Sequence, residues 1–327
     1  VTEVIPAGSV PTYPITEGKA ARIMTGAPVP EGADAIIMHE RTSFTENTVT
    51  LTAPVTSANI IPPGEDVAAG TLLVPKGKIL TASDLALIAG QGIAEIGVYK
   101  KLSIGLISTG SELLNTGSPL EYGKIYNTNP YLLGGYIQKH HMTANYLSTV
   151  RDDLDSLCRA VLDALKTNDI VITTGGVSAG DFDYMPEVIR RIGGDLLFHR
   201  LKFKPGGAML GAFKDGKVIL GLSGNPGAAA TGLLCVGFPF MRKLSGRSDI
   251  TFSQTTAYLG VDFKKSSPVT RILKGHSDFK NGMLYFTPLS NQHNGSVSSM
   301  SDCDLLAIIP AGSKPLAAGD KLEVYIL

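Results

Sequence analysis

Between Lys101 and Gly246 short apolar runs alternate with helical periodicities, and this alternation limits the fold more than any other feature of the chain. Ile104-Gly105-Leu106-Ile107 reads as a strand, Asn129 to His141 as a helix, and Ala144 to Val150 as a strand. Leu154, Leu157, Val161, Leu162 and Leu165 then recur at helical spacing over Asp153 to Lys166. Asp169-Ile170-Val171-Ile172-Thr173 is apolar throughout its centre, as a strand covered on both faces of a parallel sheet must be. Met185 to Ile192 (helix), Leu196 to Phe203 (strand), Lys217 to Leu222 (strand) and Pro226 to Leu244 (helix) complete the series. Strand and helix in turn at this length predict an α/β domain built on a doubly wound, mostly parallel sheet.

The flanks have a different texture. Residues 1–75 are rich in Pro, Gly, Thr and Val, with short runs such as Ala35-Ile36-Ile37-Met38 and Thr48-Val49-Thr50-Leu51, and predict a small β-rich domain. Residues 76–100 read as a connecting strand (Lys78-Ile79-Leu80) and helix, with Thr81 or Ser83 as N-cap and Gly90 and Gly92 as its end. The α/β domain spans 101–248, and 249–327 carries four strands of a β-barrel or open β domain, at Thr255–Leu259, Leu284–Thr287, Leu305–Ile309 and Leu322–Ile326. The chain opens Val1-Thr2-Glu3-Val4-Ile5-Pro6, without Met and inside a strand pattern, so a truncated first domain is expected.

Composition excludes some functions. Lys+Arg and Asp+Glu both number 29, which argues against a nucleic-acid or membrane-surface role, since either shows as a basic excess. The longest apolar stretch, Ala228 to Met241, contains Gly and Pro and falls short of the ~20 residues of a membrane span. Cys158, Cys235 and Cys303 lie far apart and form no CxxC pair, as in a reduced, cytoplasmic protein.

Ligands of an open α/β sheet bind beyond the carboxyl ends of its strands. Three strand ends here carry glycine-rich turns: Ser108-Thr109-Gly110-Ser111-Glu112, Thr173-Thr174-Gly175-Gly176-Val177-Ser178, and Leu222-Ser223-Gly224-Asn225-Pro226-Gly227. Their backbone N–H groups suit phosphate oxygens, and Pro226 points a helix N-terminus at the same crest. Glu112, Asp152, Asp153, Asp181 and Asp183 follow strand ends, either as helix caps or as ligands of Mg²⁺. Arg200, Lys202 and Lys204 share one face if the strand continues through them, which sets Lys204 as an anion binder before Pro205-Gly206. The histidines show no metal-ligand spacing beyond adjacent His140 and His141, and no Ser-His-Asp or Cys-His set appears.

In these motifs the chain resembles the molybdopterin molybdotransferases, the MoeA-like family that includes the E domain of gephyrin. The resemblance rests on Arg22-Ile23-Met24-Thr25-Gly26-Ala27-Pro28-Val29-Pro30, Gly64-Glu65-Asp66, Ser108 to Leu113, Gly175 to Ser178 with Asp183-Tyr184, Lys204-Pro205-Gly206 and Gly224-Asn225-Pro226, in order along nearly the whole chain. It implies a MogA-like central domain, and a reaction in which molybdate enters adenylylated molybdopterin and AMP leaves with the help of Mg²⁺. It implies Glu112, Asp152 and Asp183 as metal-binding and catalytic carboxylates, with Lys204, Thr25 and Asp66 as further catalytic positions. Thr109, Gly110, Gly175, Gly176, Ser178, Arg200, Gly206, Ser223, Gly224, Asn225, Pro226 and Ser296 are then expected to hold the pterin nucleotide. Thr25 and Asp66 would face a neighbouring subunit's site in a homodimer. A molybdopterin adenylyltransferase and molybdoenzyme apoproteins are the implied partners, in the cytoplasm.

The family's Ser-x-Met-Asp-Gly-Tyr-Ala motif is expected upstream of Val1, its Lys-Pro-Gly-Lys-Pro reads Lys204-Pro205-Gly206-Gly207-Ala208, and an expected earlier lysine is Arg200. Its Leu-Pro-Gly-Asn-Pro reads Leu222-Ser223-Gly224-Asn225-Pro226. An adenylyltransferase of the same fold would carry Gly-Gly-Thr-Gly and then Arg-Asp, so the Gly175-Gly176-Val177-Ser178 loop favours insertion; a non-catalytic scaffold is the other alternative.

Overall fold

The computed structural model describes residues 1–177 and 183–327, which divide into two units, Val1–Leu73 and Val74–Leu327. In the first unit, short strands β1 (Val4–Ile5) and β2 (Arg22–Ile23) pair in parallel, and β3 (Thr42–Phe44) and β4 (Val49–Leu51) form a hairpin. Frequent Pro and Gly keep every run brief, so the unit encloses little: Ile5 is buried, while Val10, Ile61 and Leu72 are exposed. The expected run at Ala35–Met38 contributes one isolated bridge, Ile36 to Thr56.

The second unit begins with helix α1 (Ala82–Gly90). Thr81 is its N-cap, and Thr81 and Asp84 close a capping box, which settles the choice between Thr81 and Ser83. The expected strand at Lys78–Leu80 does not form; Lys78 turns its ammonium to the Asp84 carboxylate instead. The central elements follow in order: β5 (Ser103–Thr109), the small parallel pair β6 (Leu113–Leu114) and β7 (Ile125–Tyr126), α2 (Asn129–Lys139), β8 (Thr143–Val150), α3 (Leu154–Thr167), β9 (Ile170–Thr174), α4 (Met185–Arg191), β10 (Asp195–His199), β11 (Phe203–Lys204), β12 (Leu210–Lys214) and β13 (Lys217–Leu222). The sheet runs β10-β12-β13-β9-β5-β8, with β13, β9, β5 and β8 parallel and β12 antiparallel to both its neighbours, β10 and β13.

Side-chain alternation along the inner strands fills both faces. Ile104, Leu106, Ile170, Ile172, Val218 and Leu220 join the core under α2, whereas Ile107, Val171 and Ile219 join the core under α3 and α4. The long helix expected over Pro226–Leu244 is α5 (Pro226–Gly232), a π-helical turn (Leu233–Gly237) and α6 (Phe238–Leu244). Proline has no N–H and crowds the carbonyl four residues back, and the wider turn ahead of Pro239 accommodates it within a continuous helix.

The remainder is a closed β-barrel of β14 (Gln254–Leu259), β15 (Thr270–Lys280), β16 (Met283–Pro288), β17 (Leu305–Ile309) and β18 (Lys321–Ile326), with the short helix α7 (Ser298–Ser301) before β17. Strand β15 pairs with β17 up to Gly275 and with β16 from Gly275 onward, and the Phe286 ring lies where a side chain at Gly275 would go. The barrel shares its core with the central sheet, since Ile272, Met300 and Leu306 pack with Leu222 and Phe238 in one cluster.

The expected strand over Leu196–Phe203 is corrected. It stops at His199, because Arg200 turns left-handed (φ 68°) and donates its N–H to the Met209 carbonyl; β11 then leaves to pair with β15. Arg200, Lys202 and Lys204 therefore do not share a strand face. Among the described residues no helix is long and apolar enough to cross a membrane, and Cys158, Cys235 and Cys303 are free thiols. Burial pushes Cys235 up to about 12 and Cys303 to about 11, so both stay protonated and unreactive at neutral pH.

His140 packs edge-on against Phe238 and Phe252, and its Nδ1 lies 3.3 Å from the Arg242 guanidinium. Burial, and then the charge of Arg242, lowers its pKa to about 4 from 6.5. A depressed histidine means the unfolded chain binds the proton first as pH falls, so stability declines from about pH 6.5 toward 4. Thermal unfolding followed between about pH 7 and 5 is expected to show that decline, flattened in His140→Gln. An equal slope in the variant would remove His140 as the cause.

Candidate functional site

The glycine loops meet where the sequence places them, at the carboxyl ends of β5, β9 and β13. A side chain at Gly175 would sit 2.7 Å from both the carbonyl and the Oγ1 of Thr109, and one at Gly224 would sit 3.6 Å from the Gly175 Cα. The N–H of Gly175 donates to the Leu222 carbonyl at 2.9 Å, and Gly176 accepts from Met185 N–H at the head of α4. Helices α2, α4 and α5 all begin with Pro in the first turn, where its missing N–H costs nothing.

The acids divide by role. Asp153 caps α3 by accepting from Ser156 N–H at 3.0 Å. That leaves Asp152 for the crest, where it accepts from Ser111 N–H at 3.3 Å. Lys124 donates to the Ser111 carbonyl at 2.5 Å, so this peptide is held from both sides. Glu112 is exposed, and its carboxylate lies over Gly110, whose φ of +153° and lack of a side chain leave the room. Asp183 stands apart with His199, Oδ2 to Nε2 at 3.4 Å. Burial raises its pKa, against the opposing pull of His199 and Arg200. Among the described residues no three His, Cys, Asp or Glu side chains gather into a group that could hold a metal ion. Glu112 and Asp152 share the loop at Ser111; Asp183 does not join them.

Gly206 is buried beneath α5, where a side chain would meet Gly232 N at 2.8 Å and Ala228 O at 2.9 Å, so this glycine serves helix packing. Ser223 Oγ accepts from Asn225 N–H within its own turn. Ser296 Oγ is engaged locally by Asn291 and by the Ser299 N–H at the start of α7. Its loop nevertheless reaches the head of α5, where Asn294 O accepts from Ala228 N–H at 3.2 Å beside Asn225 and Pro226. Arg200 and Lys204 are exposed; Thr25 and Asp66 are exposed on the first unit. Ser178 and Asp181 lie outside the described residues.

Sequence reasoning passed over three residues of this edge: His199, Asn127 and Asn129. Asn127 and Asn129 are buried, and Asn129 Nδ2 donates to the Gly224 carbonyl at 2.9 Å. Their signal, an Asn-Thr-Asn-Pro run, is that of an ordinary helix entry. Of the buried side-chain polar atoms without a hydrogen-bond partner among the described residues, Thr109 Oγ1, Asn127 Oδ1, Asn129 Oδ1, Thr173 Oγ1 and Asp183 Oδ1 all lie at strand ends or on crest loops. Such atoms are expensive in a finished core and are met by ligand or water at a binding site.

A parallel-rich sheet whose carboxyl edge gathers glycine turns, acids and unpaired polar atoms is a small-molecule-binding domain, here fused to a barrel. The family model of a probable molybdopterin binding domain matches residues 105–243, and those of the MoeA N-terminal region (domain I and II) and MoeA C-terminal region (domain IV) match 1–92 and 256–327. The chain belongs to the MoeA family of molybdopterin molybdenumtransferases. It is 36% identical over 327 residues to the molybdopterin molybdenumtransferase of Staphylococcus aureus and 34% identical to that of Staphylococcus epidermidis, in each case over 100% of this chain and 78% of the relative. Two crystal structures of molybdopterin biosynthesis MoeA protein from Pyrococcus horikoshii superimpose with TM-scores of 0.85 and 0.81, at 28% and 27% identity, covering 100% of this chain and 80% of theirs.

Proposed function

We propose that this chain inserts molybdate into adenylylated molybdopterin and releases AMP, with Mg²⁺ as the assisting ion. The observation that carries the reading is the junction of Thr109, Gly175 and Gly224 beside the Glu112 and Asp152 carboxylates. The curated relatives, named molybdopterin molybdenumtransferases, support it. Mg²⁺ prefers one or two carboxylates together with substrate phosphate oxygens and water, so an open pair fits it better than a closed cage. Glu112 and Asp152 would hold the ion, which supplies charge neutralisation to the phosphates. Arg200 and Lys204 are the cations for molybdate or phosphate, and Asp183 works from the other end of the crest with His199. Thr25 and Asp66 complete a neighbouring subunit's site in a homodimer. The enzyme works in the cytoplasm, between a molybdopterin adenylyltransferase and the molybdoenzyme apoproteins that accept its product.

Adenylylated molybdopterin, Mg²⁺ and molybdate mixed with the protein are expected to yield AMP only when molybdate is present. Substrate shown to be bound, yet no AMP above background, would turn the reading toward a carrier or scaffold.

A further inference from the structure

The direction of the Asn129 side chain is fixed by chemistry. Its Nδ2 donates to the Gly224 carbonyl, and a carbonyl only accepts, so Oδ1 cannot exchange places with it. That Oδ1 is buried and has no donor among the described residues. Asn127, two residues earlier, is also buried, with Nδ2 3.2 Å from Thr149 Oγ1 and Oδ1 without a partner among the described residues. Thr109 Oγ1, at the end of β5 against Gly175, is the third atom of this group without a partner among the described residues. Strand register brings Thr109 opposite Val150, next to the Thr149 that Asn127 touches, so the three share one end of the crest.

These atoms discriminate between ligand groups. An ionised phosphate offers oxygens that only accept, and so cannot satisfy an amide oxygen. A divalent cation is drawn to Glu112 and Asp152, which carry full charge. What the Asn129 oxygen lacks is an N–H donor; the Asn127 amide, turned with its oxygen outward, and the Thr109 hydroxyl, which can donate or accept, can take an N–H beside it. A pterin carries adjacent donors on its 2-amino-4-oxopyrimidine ring, the amino group and the ring N–H beside it. Adenine offers one amino group flanked by ring nitrogens that accept. We propose that Asn129, with Asn127 and Thr109, forms the subsite that reads the N–H edge of the pterin ring, while the phosphates run along the Gly175–Gly224 backbone. This rests on the proposed substrate and assigns its two ends to different parts of the crest. The subsite is shielded from solvent, so each hydrogen bond made there counts for more than on the surface.

Free pterin titrated by its fluorescence, with AMP titrated by calorimetry in parallel, tests the assignment on the full chain. Asn129→Leu is expected to raise the pterin Kd at least about tenfold, the scale of one lost buried hydrogen bond, and to raise it more than the AMP Kd. Because Asn129 also holds Gly224, a Thr109→Val, Asn127→Leu double variant serves as the second test. It keeps the branching shape of both side chains and deletes two unsatisfied groups, and Thr149 retains the Tyr146 hydroxyl as partner. It is expected to weaken pterin binding likewise while its thermal midpoint stays level or rises. Loss of AMP affinity with pterin unchanged would give the subsite to the adenine, and no change in either would leave internal water as the partner; both overturn the proposal. So does a parent protein that binds no pterin. A parent that binds pterin through Asn129 yet releases no AMP with molybdate would retain the subsite and refute the proposed reaction.

Discussion

Asp183→Asn is expected to lower molybdate-dependent AMP release by at least about a hundredfold, the usual scale for losing a charged group that acts at a transition state. The fold is expected to be as stable as the parent's, or more stable. The two halves of this prediction have one source. Asp183 Oδ2 faces His199 Nε2 at 3.4 Å, while Oδ1 is buried with no hydrogen-bond partner among the described residues. Burial raises its pKa. An aspartate whose folded pKa lies above the unfolded value binds its proton more readily in the native state, so stability falls as pH rises through that interval and stays lowered above it. At neutral pH the ion is a cost to folding, and asparagine removes the charge while keeping the shape. Parallel assays of AMP release and thermal unfolding near pH 7 decide the matter. Normal turnover would take Asp183 out of the site; lost turnover with a lowered unfolding midpoint would make it a residue of the fold.

The central sheet was legible because its strands and helices carry unmixed signals. Ile170-Val171-Ile172 has no polar residue to face water, and α3 sets Leu154, Leu157, Val161 and Leu165 on one helical face. Two long strands were missed, β12 and β15, and both were announced by the turns that follow them. Asp215-Gly216 and Asn281-Gly282 are left-handed at both positions, with φ of 48° and 78°, and of 50° and 77°. These pairs suit the two-residue hairpin turn whose twist matches paired strands. Charged residues alternating along Lys274, His276, Asp278 and Lys280 hid β15 from a search for apolar runs.

The crest was legible for a related reason: glycine at a strand end marks close backbone approach, and three such ends belong to one sheet. What spacing could not convey was the division of labour between neighbours. Asp152 and Asp153 are equal in sequence, and only the direction of α3 makes the second a cap and frees the first. Arg200 gives no hint of a left-handed turn, since a side chain with a Cβ rarely adopts one, and the strand extrapolated through it carried three cations onto a false common face. His199 and the two asparagines acquire their roles from partners far away in the chain.

Gly175→Ala is expected to be the most damaging small substitution in the central domain. The residue has φ of +101°, a region that nonglycine residues occupy only under strain, and the added methyl would lie 2.7 Å from the Thr109 carbonyl oxygen and from its Oγ1. Neither neighbour can yield easily. The carbonyl belongs to β5, which is hydrogen-bonded between β8 and β9, and the Gly175 N–H is itself tied to Leu222 at the end of β13. Backbone strain and overpacking each cost on the order of 1–3 kcal/mol, so a loss of about 2–5 kcal/mol is expected. Against a total stability of roughly 5–15 kcal/mol this would be felt across the whole second unit, and AMP release should fall with it as the Thr109 and Gly224 loops separate. Gly224→Ala supplies the contrast. Its methyl would meet the Gly175 Cα at 3.6 Å, an ordinary contact, and stability should change by less than about 0.5 kcal/mol. Urea unfolding of the two variants beside the parent measures both differences. Equal stability for Gly175→Ala and Gly224→Ala would mean that the three loops are not locked together at Gly175, and the junction on which the proposed reaction rests would lose its rigidity.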